Sequence, residues 1–335
     1  MQSANTASNS STVSDSAITY IDMHPPRHDV VKEVLAGFSG AQKVLSPKYF
    51  YDERGSQLFE AITQQPEYYP TRTERKILTD NAGNIADLIG QNITLIEPGC
   101  GSCEKVRLLL NALQPHQFIA MDISAEFLLT ATNALAEEYP SLDITAVCAD
   151  FSQITALNHR LNNSKNEHRR VAFYPGSTLG NFHPDAALDF LSTVRQMVGS
   201  NGGLLIGVDR HKNAGILDAA YNDAKGVTAD FNLNALTHIN RLLPANFNND
   251  TFSHHAFYNS AQQRIEMHLR SETKQVVDCA SHAINFNANE TIHSENSYKY
   301  TPEQFCALAQ TAGFKVIKTW SDCDDLFSVY YCAAQ

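Results

Sequence analysis

The chain has 335 residues, enough for two domains or one large one, and 43% of them are hydrophobic, which suffices for a buried core. Its formal net charge of −11 repels a phosphate backbone, so no nucleic-acid partner is expected. No apolar run reaches the length of a membrane span. The first basic residue is Arg27, so the start of the chain lacks the positive flank of a secretory or mitochondrial leader. The seven cysteines form no paired framework, and we expect a cytoplasmic, reducing setting with no membrane contact.

Residues 1–16, MQSANTASNSSTVSDS, have too few large apolar groups to offset ordering entropy and are expected to be a disordered tail. From Thr94 the sequence alternates short apolar strands with helical patterns: TLIEPG then SCEKVRLLLNAL, QFIAMDIS then AEFLLTATNALAEEY, LDITAVCADF, RVAFYPGS, PDAALDFLSTVRQMV and GGLLIGVD. That alternation predicts a parallel sheet covered on both faces. After Asp209 the pattern changes to helices, then to two strands in FSHHAFYNSAQQRIEMHLRSE joined by an Asn-Ser-Ala-Gln turn. The last stretch reads as a helix and two strands. We expect an α/β core interrupted by an insertion, with the chain returning to the sheet near residue 300.

The stretch TLIEPGCGSCEKVRLLL, residues 94–110, has two readings. Cys100 and Cys103 have the spacing of a metal knuckle or redox pair. A structural zinc needs four ligands, and no second pair appears at knuckle spacing; a redox pair at a helix N-terminus stays open. The other reading is a strand-to-helix cofactor turn. Gly99 and Gly101 let the backbone approach a ligand closely. Asp122, at the end of the next strand, lies 21 residues after Gly101, the distance for an acid that grips ribose hydroxyls. Asp150 and Phe151 follow the third strand, where a carboxylate can accept from an adenine amine and a ring can stack. A dinucleotide fold needs a third glycine where this chain has Glu104, whose charge would repel a pyrophosphate. The set suits a sulfonium nucleoside, S-adenosylmethionine, better than NAD.

The segments YFYDERGSQLFEAITQQPEYYPTRTE (49–74), EPGCGSCEK (97–105), GSTLGNF (176–182), AAYNDAKGVTADFNLNAL (219–236), RIEMHLR (264–270) and SENSYKY (294–300) together resemble the histidine-specific, S-adenosylmethionine-dependent Nα-methyltransferases. These enzymes form Nα-trimethylhistidine (hercynine), the first step toward ergothioneine. The resemblance runs from about Tyr49 to the C-terminus. It implies an α/β fold: a Rossmann-like class I methyltransferase sheet with a second, inserted α+β substrate domain. The expected division is a tail over 1–25, a substrate domain of 26–77 plus 210–299, and a cofactor domain of 78–209 plus 300–335. On the cofactor side it implies Gly99, Lys105, Asp122, Asp150 and Phe151. On the substrate side it implies Tyr68, Asn181, Tyr221, Glu295 and Ser297, with Tyr51, Phe59, Thr228 and Met267 as supporting pocket residues. No metal is implied.

These side chains suit L-histidine, which carries a carboxylate, an amine and an imidazole. Buried together, all three must be satisfied. Asn181 and Tyr221 can donate to the carboxylate, and Tyr68 stands on the amine side. Glu295 can accept from a ring N–H while Ser297 bonds the other nitrogen, both on one face of an extended segment. The plainer alternatives are a turn asparagine at 181, core aromatics at 68 and 221, and an exposed polar strand at 294–300. Glu295 and Met267 favour histidine over the indole handled by related ergot-alkaloid enzymes. Another aromatic amino acid or a histidine derivative stays open as substrate, as does a protein that binds S-adenosylmethionine or histidine without turnover. A monomer is expected, since two domains can enclose so small a substrate.

Overall fold

The computed structural model describes residues 18–23, 27–149, 155, 157–159 and 168–335. The tail expected over 1–16 and the adenine-side pair Asp150 and Phe151 lie outside the described residues. Strands β3 (Thr94–Pro98), β4 (Gln117–Asp122), β5 (Asp143–Cys148), β6 (Arg170–Tyr174) and β7 (Gly203–Asp209) run parallel in one sheet. Every residue of β3 and β7 is buried, because helices cover both faces, and this is why they read as unbroken apolar runs.

With β1 (Thr19–Asp22), β13 (Phe314–Ser321) and β14 (Phe327–Ala334), the sheet has eight strands among the described residues, in the order β1-β5-β4-β3-β6-β7-β14-β13. β14 is antiparallel to β7, and β13 is antiparallel to β14. The chain builds outward in one direction from β3 to β4 and in the other through β6. The crevice at the carboxyl end of β3 is therefore the switch point at which such sheets bind ligands.

Two expected boundaries are corrected. β1 (Thr19–Asp22) falls within the tail expected to reach residue 25, yet it pairs in parallel with β5 from Thr19↔Thr145 to Asp22↔Cys148. Its Thr-Tyr-Ile-Asp sequence suits a strand, and it covers backbone groups of β5 that would otherwise form an open edge. The boundary expected at residue 77 falls inside helix α3 (Tyr69–Ile89), which is continuous for 21 residues. Its start packs through Tyr69 into one core and its body packs through Ile77, Leu78, Ile85 and Ile89 into another. A helix shared by two cores leaves no linker there.

A second sheet has the order β2-β12-β9-β8, formed by β2 (Lys43–Val44), β8 (Phe252–Asn259), β9 (Arg264–Ser271) and β12 (Thr291–Tyr298). The β8–β9 turn falls at residues 260–263, one position later than expected. Helix α2 (Glu53–Thr63) and the long helix Val227–Leu242 share the apolar core with this sheet's inner face, through Leu58, Phe231 and Leu269. A β-bulge interrupts β12 between His293 and Glu295. A short 3-10 turn, Thr178–Asn181, packs against β7 of the first sheet and β12 of the second. A Cβ on its Gly180 would lie 2.7 Å from the Tyr298 carbonyl oxygen. The missing side chain therefore lets the turn that carries Asn181 lie directly against the strand that carries Glu295 and Ser297.

Candidate active site

The glycine turn after β3 is locked to β4. The N–H groups of Gly99 and Cys100 donate to the Met121 carbonyl at 2.7 and 3.0 Å. Gly99 and Gly101 have φ of 73° and 52°, the left-handed region that glycine enters without penalty. Gly101 N–H donates to Asp122 Oδ2 at 2.9 Å and Ser124 N–H donates to Oδ1 at 3.0 Å. Burial raises the Asp122 carboxyl while these backbone donors pull it back. Glu97, at the end of β3, is buried, and its Oε2 has no protein partner among the described residues. Burial pushes its carboxyl well above the usual range. Glu97, Gly99, Cys100, Gly101 and Asp122 line a cavity of about 880 Å³.

Lys105 also faces that cavity, but its ammonium is anchored. Its Nζ lies 2.6 Å from Glu74 Oε2, and the Gly176 N–H donates to both Glu74 oxygens, at 3.0 and 2.9 Å. Glu74 is the last residue of the YYPTRTE block and is wholly buried, so α3 holds from behind, through its carboxylate, a lysine that lines the crevice. Cys103 is also wholly buried, on a left-handed turn with φ 56°. Hydrogen bonding to the free Cys103 thiol, and burial, raise the Cys100 thiol well above its ordinary value. That holds Cys100 as a thiol, unlike the low-pKa cysteines of redox motifs.

A second, smaller cavity of about 50 Å³ opens beside the first, with Tyr51, Phe59, Gly176, Thr178 and Asn181 in the walls of both. Of the expected substrate-side residues it brings together Tyr51, Phe59, Tyr68, Asn181, Tyr221, Glu295 and Ser297. The aromatic rings follow one another edge-on: Tyr51 to Phe59 at 5.9 Å, Phe59 to Tyr68 at 6.4 Å, Tyr68 to Tyr221 at 6.3 Å. Burial raises the three tyrosine hydroxyls, and nearby carboxylates and phenols add to it; they are neutral donors. Burial pushes the Glu295 carboxyl up to about 7, against the pull of Lys299. Met267 is the cross-strand neighbour of Glu295 and is packed in the core behind it. Thr228 stands at a helix start, its N–H donating to Asp223 at 2.8 Å. Neither Met267 nor Thr228 lines the cavity.

The floor of the small cavity holds a cluster that sequence reasoning missed. Asp209, the last residue of β7, is paired with Lys299 at 2.8 Å and with Lys212. Tyr69 O–H donates to the Asp209 carboxylate at 2.7 Å, and Lys212 Nζ donates to the Tyr69 hydroxyl at 2.6 Å. Burial raises Asp209, but Lys299 and Lys212 outweigh it and hold the carboxyl below its ordinary value. Lys212 is lowered to about 8, chiefly by burial. The signal was available: Asp209 ends an apolar strand as Asp122 does, on the same sheet edge.

On the opposite face of the second sheet, Glu266, His268 and His293 place ligand atoms within 4.8 Å of one another. The two imidazoles stack with centroids 4.5 Å apart and planes 17° apart, so their in-plane lone pairs run side by side and do not converge on one ion. His293 Nε2 instead meets the Glu295 carbonyl at 3.0 Å, bracing the bulge from behind.

Residues 30–334 match the family described as "Histidine-specific methyltransferase, SAM-dependent". The chain belongs to this family of S-adenosylmethionine-dependent methyltransferases. It is similar to the histidine N-alpha-methyltransferase of Mycolicibacterium smegmatis, 41% identical over 87% of this chain and 90% of that one. It is 30% identical to ergothioneine biosynthesis protein 1 of Neurospora crassa over 81% of this chain and 31% of that larger protein. A more distant relative is the 4-dimethylallyltryptophan N-methyltransferase easF of Aspergillus fumigatus, 26% identical over 88% of this chain and 91% of the other. Among the described residues, no helix of this family member is long and apolar enough to cross a membrane.

Proposed function

We propose that this methyltransferase acts on the α-amine of L-histidine and carries it to the trimethyl product, hercynine, the entry step of ergothioneine biosynthesis. The observation that carries the reading is the buried pair Glu295 and Ser297 in one wall of a chamber that shares five wall residues with the glycine-loop crevice. An indole has no second ring nitrogen for such a pair, and a site built to bond a buried N–H rejects ligands that lack it.

When bound, S-adenosylmethionine supplies a methyl group on a sulfonium centre. The residues present fit it: Asp122 for the ribose hydroxyls, the backbone at Gly99 and Gly101 for close approach, and the unpaired Glu97 oxygen as an acceptor. In our reading Asn181 and Tyr221 hold the histidine carboxylate, and Tyr68 stands at the amine. Glu295 and Ser297 fix the ring, with Tyr51 and Phe59 as walls and Met267 supporting Glu295 from behind. The ammonium of free histidine must lose its proton before the nitrogen can attack. Bond making would then need no strong base, and these side chains would contribute chiefly by holding the neutral amine oriented toward the methyl donor. The aromatic wall excludes water from this encounter.

The test is incubation with S-adenosylmethionine and a panel of amino acids, followed by mass analysis. Histidine should gain three methyl increments. Gain on another amine with none on histidine would sink the reading. No mass gain on any amine, with tight binding of either ligand, would favour a non-catalytic binder.

A further inference from the structure

We infer that Lys299 is a specificity-determining residue: its buried ammonium forces the Ser297 hydroxyl to present a hydrogen-bond donor to the substrate ring. The inference rests on the reading of Glu295 and Ser297 as the ring's partners.

Lys299 is almost wholly buried and its Nζ has three partners. It pairs with Asp209 at 2.8 Å, donates to Ser297 Oγ at 2.7 Å and reaches Tyr221 Oη at 3.4 Å. An ammonium has three donors and no acceptor. Each hydroxyl it touches must therefore offer that side a lone pair and turn its hydrogen elsewhere. Both side chains line the cavity, so the Ser297 hydrogen is left for the ring and the Tyr221 hydrogen for the carboxylate.

The ring subsite is thus polar in one sense. Glu295, ionised, offers only an acceptor, and the Ser297 hydroxyl offers a donor. A neutral imidazole carries one N–H and one ring lone pair and satisfies both in a single orientation. A pyrrole has the N–H and no lone pair. An imidazolium has two N–H groups and would set one against the hydroxyl hydrogen. Without Lys299, the serine hydroxyl is free to turn and accept.

The experiment compares kcat/KM for L-histidine with that for pyrrol-2-yl-L-alanine and pyrrol-3-yl-L-alanine, isosteres that place the single N–H at either ring position. The wild type should disfavour the better of the two by about 10²-fold or more, the cost of a buried polar group left unpaired. Lys299→Met should narrow that ratio about tenfold, the worth of one hydrogen bond. Asp209 keeps Lys212 and Tyr69 as partners in this variant, and calorimetric binding of S-adenosylmethionine reports that it has folded. Should it not fold, Lys299→Gln serves, because a neutral amide no longer fixes the hydroxyl's direction and must narrow the ratio too. A variant that loses activity on histidine and the pyrroles by one common factor overturns the inference, since a merely structural lysine would behave so. Ser297→Ala separates the two levels of the argument. It should narrow the ratio as Lys299→Met does; a ratio it leaves unmoved overturns the ring-subsite reading, and this inference with it.

Discussion

Asp209 and Lys299 form an ion pair 2.8 Å long in which each side chain is 1% exposed, and Lys212 sits on the same carboxylate. Removing the acid strands two buried ammonium groups, and breaking a buried pair from one side costs about 3–5 kcal/mol. Asp209→Asn should lower the unfolding free energy by that order, read by urea melts. Adding Lys299→Met should return part of it, because one of the stranded charges is gone. A loss below about 1 kcal/mol in the single variant would show that the cluster is better hydrated than its burial indicates.

Asp122 has two duties in one carboxylate. It accepts from Gly101 and Ser124 N–H groups, which shapes the loop, and it faces the larger cavity. Asp122→Asn keeps the size of the side chain but replaces one acceptor oxygen with a donor, so one of the two backbone bonds is given up as well. We expect the dissociation constant for S-adenosylmethionine to rise roughly 10- to 100-fold, as for a charge-assisted hydrogen bond. The affinity for histidine, measured with the cofactor saturating, should stay within about threefold. Equal losses for both ligands in titration calorimetry would mean that the loop had collapsed.

Glu295 links the site to pH. Burial raises its carboxyl from 4.5 to about 7, so the folded chain holds this proton more tightly than the unfolded chain does. The resulting stability is fully present below the unfolded value and is lost as pH rises through about 7. Glu295→Gln is neutral throughout, so its melting temperature should fall less than the wild type's between pH 5.5 and 8. The same variant should lose about 10²-fold in kcat/KM for histidine while S-adenosylmethionine binding holds. Identical pH slopes for the two proteins would remove the titration argument.

Local signals carried the half of the candidate site that we assign to the cofactor. Glu97, Gly99, Gly101 and Asp122 belong to consecutive strand ends and one turn, so spacing along the chain predicts their meeting. The half that we assign to the substrate is assembled from segments far apart: Tyr51 to Tyr68, Asn181, Tyr221, and Glu295 with Ser297. No periodicity brings these together, and their grouping in the sequence came from resemblance to a family. The Asp209, Lys299, Lys212 and Tyr69 cluster escaped for the same reason, although Asp209 alone could have been suspected from its place at a strand end. Thr19–Asp22 were missed because a strand of four residues has no pattern of its own; its hydrogen bonds go to β5, more than a hundred residues away. The boundary at residue 77 failed because α3 serves two cores, and composition does not change along it.

Glycines at two points of the same framework should respond in opposite directions to the same substitution. Gly207 lies in β7, and a Cβ there would sit 1.8 Å from Glu74 Oε1 and 2.9 Å from Phe327 Cε1. Glu74 has no room to give, since its oxygens already hold Lys105 and the Gly176 N–H. Gly207→Ala must therefore push the carboxylate off both partners or bend the strand. Overpacking alone costs about 1–3 kcal/mol, and the freed Lys105 should also weaken S-adenosylmethionine binding. Gly83 lies in the exposed stretch of α3, and a Cβ there meets nothing within 4 Å. Gly83→Ala should raise stability by about 0.5–1 kcal/mol by restricting the unfolded chain and favouring the helix, with cofactor affinity unchanged. Denaturant melts of the two variants with and without S-adenosylmethionine check both signs. A Gly207→Ala protein as stable as the wild type would mean that Glu74 is free to move, and its role as the anchor between α3 and the cofactor loop would fall.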